Sequence, residues 1–379
     1  MLVSAAALVA GLAYCKQLES RYIHALAPEF SDEKLQGAAL QKEAFRQPDL
    51  LMVYGSSELV REIPNNANEF FEDYPTGFRV FPIGKPGATS LGLLQKLAAV
   101  GKEAKGRKVA YSLSPGWFLS AELDTKYYEG NFSNEQALQA IFSDDLSHGL
   151  KHDIARRMDD YPTTTDNTWL LDFTVHRLSA DTALDRALYA AIWPLGKLRN
   201  AIGRAQDHFG AAVYILDEEE KLDPAVKSAT TALNWNEILK RAAKFANATA
   251  VRSKQNEVAR RKQSKVNRAA KIREGLAKAH EWTDFELLLR TCQELGAKPL
   301  FLSMPIEDIR LEVYGLDDST RLSYVQRLQS LVKQYEYPVM LFREHEKDPG
   351  FMDDFQDHLS AEGWLYFDKA LDDFYHGRI

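Results

Sequence analysis

The sequence predicts an α/β fold: a flavodoxin-like parallel sheet of about five strands that carries a helical insertion. Three observations lead there. Short apolar runs end in Gly- or Ser-rich turns and pass into stretches of helical periodicity, first from residue 49 and again from residue 282. Between about residues 133 and 280 this alternation stops, and Ala, Leu, Lys and Arg dominate, which reads as a largely helical insertion and not a separate domain. At 45% hydrophobic and 27% charged, the 379 residues have the balance of a folded body, with length for roughly two to three domain equivalents.

Residues 2–14 (LVSAAALVAGLAY) carry no charge. A bilayer span takes about 20 apolar residues, with roughly 17 as the lower limit. No Lys or Arg precedes the run, as a signal peptide would require. The expectation is the remnant of a single membrane anchor over residues 1–15, with a buried N-terminal helix as the alternative. Cys15 follows the bulky Tyr14, where a lipoprotein attachment site wants a small residue. Residues 16–48 are polar and helix-compatible, close at Pro48, and read as a connector to a domain over residues 49–379.

DLLMVYGSS (49–57), FRVFPIG (78–84) and RKVAYS (107–112) read as buried parallel strands. Leu91, Leu94, Leu97, Ala98 and Val100 give the helix between the second and third its apolar face. Inside the insertion, Asp223-Pro224 predicts a helix start, with Asp as N-cap and Pro first. Residues 282–295 then form an amphipathic helix stopped by Gly296. KPLFLSMPI (298–306) and PVMLF (338–342) are strands, residues 321–335 a helix between them, and residues 360–375 a last helix capped by Ser360.

A net charge of -7 argues against a dedicated nucleic-acid binder. Residues 252–273 still hold nine Lys and Arg (Arg252, Lys254, Arg260, Arg261, Lys262, Lys265, Arg268, Lys271 and Arg273) against Glu257 alone. This is either a solvated helix face or a stripe for an anionic polymer or headgroup. Cys15 and Cys292 lie far apart and form no metal-ligand spacing. His148 and His152 are spaced like helix metal ligands, but no Glu follows His148, so no metal site is expected, and no cofactor either.

Four segments fall on successive strand ends, where open α/β sheets hold their sites. The first strand ends in Gly55-Ser56-Ser57-Glu58-Leu59. A serine there is either a nucleophile beside free N–H groups or a helix cap. The G-x-S-x-G elbow of α/β-hydrolases is not met, because Leu59 stands at its last Gly. After the second strand, Gly87 in PIGKPGATS lets backbone approach a ligand. After the third, SLSPGWF (112–118) walls the same rim. Before the last helix, His358 sits among Asp353, Asp354 and Asp357, which suits a general base oriented by an acid.

This order of Gly-x-Ser, Gly-rich turn and late His resembles the SGNH hydrolase superfamily. GSSEL, SLSPGWF and HLSAEGW with a following Asp368 resemble more closely the DltD family of teichoic acid D-alanylation. The resemblance implies a fold like that of the SGNH hydrolases, Ser57 as nucleophile, Ser56 in the place of that superfamily's Asp, and His358 as base. The Ser57 and Gly87 N–H groups would form the oxyanion hole. The superfamily's Asn block is missing and Pro115 has no N–H, so any third donor would be Gly116 or Trp117. The acid normally stands three places before the His, where this chain has Phe355; the order of expectation is Asp354, then Asp357, then Asp353. The resemblance further implies a domain on the outer face of the cell membrane that takes D-alanine through a serine ester to a teichoic acid hydroxyl, lipoteichoic acid above all. A membrane-bound O-acyltransferase and a D-alanyl carrier protein are the implied partners. An esterase or thioesterase with water as acceptor, and a non-catalytic docking protein for the acyltransferase, remain the alternatives.

Overall fold

The computed structural model describes residues 2–166, 168–226, 228–242, 254 and 268–379. Five parallel strands form one sheet: β1 Leu50–Gly55, β2 Arg79–Gly84, β3 Lys108–Leu113, β4 Lys298–Ser303 and β5 Val339–Met340. Their order is β2-β1-β3-β4-β5, a doubly wound arrangement whose direction of growth reverses between β1 and β3. All of β1 and β2 is buried, because both sheet faces are covered; that is why the strands read as unbroken apolar runs. Leu50, Met52 and Tyr54 enter one core, Leu51 and Val53 the other, as the two-residue period of a strand requires. The last strand is shorter than its sequence suggests: Phe342 adopts a left-handed φ of 49°, which ends the extended chain.

The helices used below are α1 Leu2–Tyr22, α2 Ala39–Arg46, α3 Ser90–Val100, α4 Asn134–Ile141, α5 Trp169–Ala180, α6 Ala183–Glu218, α7 Arg268–Lys278, α8 His280–Leu295, α9 Asp318–Gln334 and α10 Ala361–Tyr375. Helices α3 and α8 pack together over the larger core, and α10 closes the smaller one. The insertion is helical, as its composition suggests. Its longest element, α6, starts at a capping box between Thr182 and Asp185 and runs for 36 residues with Pro194 inside it.

Several expectations change. The membrane anchor is not seen: among the described residues no helix is long and apolar enough to cross a membrane. Instead α1 continues past Lys16 to Tyr22 and lies along α6, with Tyr22 Oη donating to Glu219 Oε1 at 2.5 Å. Cys15, Leu18, Glu19 and Tyr22 are buried there, so the first residues of the stretch that read as a connector belong to a packed face. Asp223-Pro224 starts no helix. Asp223 Oδ1 accepts the Ala225 N–H at 2.8 Å and closes a single turn. In the basic run, Arg252, Arg260, Arg261, Lys262 and Lys265 lie outside the described residues. Lys254 is no solvated cation: it is buried, with Nζ 2.7 Å from Glu307 Oε1 and 2.7 Å from the Met352 carbonyl.

Gly196 of α6 faces the buried ring of Phe142, and a Cβ there would fall inside that ring. Alanine gains about 1 kcal/mol over glycine in a helix interior. Overpacking a fixed core typically costs about 1–3 kcal/mol. We therefore expect Gly196→Ala to destabilise the chain despite its better helix propensity, read as a lower denaturant midpoint with an unchanged slope.

Candidate active site

The first strand delivers its serine through a turn that only glycine neighbours permit. Gly55 and Gly84 are partners in the β1–β2 register. A Cβ on Gly84 would lie 2.7 Å from Leu59 Cβ and 2.8 Å from the Ser56 carbonyl; one on Gly55 would meet Glu58 Oε1. The chain therefore bends across both strand ends into a short 3-10 turn, Ser57–Val60. Glu58 folds back beneath it and accepts the Ser56 N–H at 2.8 Å. Burial pushes the Glu58 carboxyl up, against the pull of that N–H.

At the other end of the chain, residues 353–358 form a loop pinned at its neck. Met352 and Leu359 make an antiparallel bridge, and the Asp353 N–H donates to the His358 carbonyl at 2.8 Å. This doubling back brings Asp354, four places before the histidine, to its ring: His358 Nδ1 and Asp354 Oδ2 are 2.7 Å apart. His358 Nε2 in turn lies 2.8 Å from Ser57 Oγ, across 301 positions of sequence. Ser57 is half-buried and His358 buried, so the serine is reachable while its partner is shielded. The other oxygen of Asp354 accepts the Gln356 N–H at 2.7 Å. Burial raises the Asp354 carboxyl, but the hydrogen bond and charge of His358, with Gln356 and Arg61 behind them, bring it down to about 2.

Asp357, the second choice for the acid, points elsewhere. It takes a left-handed φ of 65°, forms a buried ion pair with Arg310, and accepts the Gly116 N–H at 2.8 Å. Asp353 reaches Arg61 Nη2 at 3.1 Å and not the imidazole. Arg61, which the sequence reading passed over, also donates through Nη1 to Asp354 Oδ2 at 2.7 Å and lies 2.6 Å from His358 Nδ1. Its one signal was position: it stands directly after the nucleophile turn.

The N–H groups are less free than the resemblance implies. Ser57 N–H opens the 3-10 turn, where no partner within the turn awaits it. Gly87 has the positive φ (84°) that favours glycine, but its N–H donates to Ser56 Oγ at 3.0 Å. Gly116 N–H serves Asp357, and Trp117 N–H serves the Ser114 carbonyl at 3.2 Å, so both possible third donors are spent. Trp117 and Tyr127 stack edge to face at 5.1 Å on the Gly87 side of the site. Among the described residues no group of three or more His, Cys, Asp or Glu is arranged to hold a metal; His148 is paired with Asp181.

A family model described as DltD protein matches residues 27–376. Protein DltD of Bacillus subtilis (strain 168) is 26% identical over 354 residues, which cover 92% of this chain and 88% of that protein. Protein DltD of Staphylococcus aureus (strain NCTC 8325 / PS 47) is 21% identical over 355 residues, covering 90% and 85%.

The two acids should differ in stability. Asp357→Asn breaks a buried ion pair and should cost about 3–5 kcal/mol in denaturant unfolding; Asp354→Asn, at a half-exposed carboxylate, should cost less. Asp354 is depressed in the folded state, from an ordinary value of about 4. Its contribution is therefore present in full above about pH 4 and lost as pH falls through about 2. Unfolding midpoints of Asp354→Asn should accordingly fall less than wild type across that window.

Proposed function

Because the chain belongs to the DltD family, we propose that it performs a serine-ester acyl transfer within teichoic acid D-alanylation. The observation that carries this reading is the continuous contact from Ser57 Oγ through His358 to Asp354. With the imidazole proton on Nδ1, facing Asp354, the Nε2 lone pair takes the Ser57 proton as Oγ attacks the carbonyl of an activated D-alanyl donor. The C–O bond to serine forms, the donor's leaving group departs with the proton from Nε2, and a D-alanyl-Ser57 ester remains. A polymer hydroxyl then gives its proton to Nε2 and attacks that ester, and Ser57 leaves with the proton restored. Asp354 stays ionised throughout and stabilises the imidazolium that forms in each half-reaction.

The Ser57 N–H is the first oxyanion donor in this scheme. The Gly87 N–H becomes the second when Ser56 Oγ yields it to the charge that develops on the substrate. None of these steps calls for a cofactor or a metal. The reading sets the domain on the outer face of the cell membrane, with lipoteichoic acid as acceptor. A membrane-bound O-acyltransferase and a D-alanyl carrier protein are its partners upstream.

A serine-reactive phosphonate with peptide mapping tests the nucleophile. Labelling should fall on Ser57, vanish in Ser57→Ala and persist at a reduced rate in Ser56→Ala; a dead Ser56→Ala beside an active Ser57→Ala would reverse the assignment. Transfer of D-alanine onto purified teichoic acid, measured against its release to water, decides the acceptor. In that assay Asp354→Asn should lose about 10³–10⁴-fold, because the amide no longer fixes the tautomer. Asp357→Asn, provided it folds, should keep the pH profile of wild type.

A further inference from the structure

Among the described residues, an apolar ridge stands exposed on the longest helix of the insertion. On α6, Leu195, Leu198, Ile202, Phe209, Val213 and Leu216 recur at the spacing of one helix face, and all six are exposed, Leu198 by 57% and Val213 by 67%. At 1.5 Å per residue this stripe is about 30 Å long. A soluble surface scatters its apolar side chains; a continuous row of this length marks a contact. Beside it runs α1, where Leu8, Val9 and Tyr14 are also exposed and Gly11 lets the Phe209 ring approach. Exposed apolar side chains thus stand on both of these neighbouring helices.

Charge identifies what would cover it. A cleft of about 510 Å³ opens between α1, α2 and α6, and Ala201 and Ala205 of α6 line it next to Ile202 of the ridge. Its walls carry Lys16, Lys42, Arg46, Lys102, Lys197 and Arg204 against Glu103, Asp144 and Asp145, an excess of three positive charges on a chain whose net charge is -7. Beside the apolar row, then, cations outnumber acids. We propose that this face seats the protein in the plane of an anionic lipid bilayer, the ridge dipping into the interface and the cleft holding acidic headgroups. Convexity favours lipid over a shaped partner, since a fluid surface accommodates a protruding helix without a matching groove. A two-fold copy of the chain would set the same cation-rich flank against itself. The attraction of such Lys and Arg side chains to an anionic surface is screened by salt. The contact is lateral, and it is independent of the chemistry at Ser57.

Flotation of the full chain with vesicles tests it. Wild type should float with vesicles rich in phosphatidylglycerol and much less with pure phosphatidylcholine. A Leu198→Glu/Ile202→Glu/Val213→Glu variant should lose binding by about tenfold or more, with its unfolding midpoint and phosphonate labelling unchanged, because all three positions face solvent. Lys16→Gln/Arg204→Gln should keep weak binding but lose the preference for anionic lipid. Undiminished flotation of the triple variant would overturn the proposal and leave α1 alone as the contact. A dimer in light scattering that the same variant breaks would overturn it in favour of a second copy.

Discussion

A hydroxyl and an imidazole from opposite ends of the chain meet at 2.8 Å, and the architecture follows from that requirement. Neither the Ser57 turn nor the His358 loop has a core of its own. Each is fixed by what lies beneath it: the turn by β1, β2 and the folded-back Glu58, the loop by the Met352–Leu359 bridge and the start of α10. The parallel sheet sets these fixtures in one frame because its strand ends share an edge. Loops raised on such a rim can carry polar groups that a packed interior would reject. The long insertion leaves this frame after β3 and rejoins it at β4, which pairs with β3 over six residues, so its helices add area without moving the rim.

Three of the cations taken into the body are each paired with a carboxylate. Arg310 meets Asp357, Lys254 meets Glu307, and Arg157 meets Asp284, each pair buried. A lone buried ion is expensive, whereas a well-made pair roughly offsets its own desolvation. Such pairs therefore add less to stability than to direction. Arg310 is the clearest case: by holding Asp357 against Gly116 it removes from His358 the carboxylate nearest in sequence and leaves Asp354 as the carboxylate at the ring. Glu307 acts similarly at the neck of the loop, where its Oε1 accepts the Met352 N–H at 3.3 Å while its carboxylate binds Lys254.

The sheet was legible in the sequence because buried parallel strands are unbroken apolar runs, and the first three were followed by turns containing Gly or Ser. The pairing of Ser57 with His358 was expected from the resemblance to the SGNH hydrolases, and the ranking of Asp354 before Asp357 from that superfamily's spacing and the awkwardness of an adjacent side chain. The means by which Asp357 is withdrawn was not legible, since it depends on an arginine 47 positions away. Lys254 read as part of a solvated stripe because composition cannot tell a buried cation from its exposed neighbours. Asp223-Pro224 carried a sound local start signal, but no apolar face followed for a helix to bury. The apolar N-terminus suggested a span, and only the path of α6 reveals that residues 15–22 have a protein partner.

The imidazole ties these local arrangements to chemistry through a single proton. In neutral His358 one nitrogen donates and the other accepts. Nδ1 has two neighbours that ask for opposite things: Asp354 Oδ2 at 2.7 Å can only accept, and Arg61 Nη1 at 2.6 Å can only donate. If Arg61 won, the proton would sit on Nε2 and point at Ser57 Oγ, and the histidine could not act as its base. If Asp354 wins, Nε2 presents a lone pair to the serine, and Arg61 has to turn its N–H toward the same Oδ2, which it already reaches at 2.7 Å. The proposed chemistry requires this second state. Arg61 then neutralises part of the Asp353 and Asp354 charge without taking the ring, and the half-exposed position of all three lets water share the adjustment. The orientation of the arginine, more than its presence, decides whether the serine meets a base.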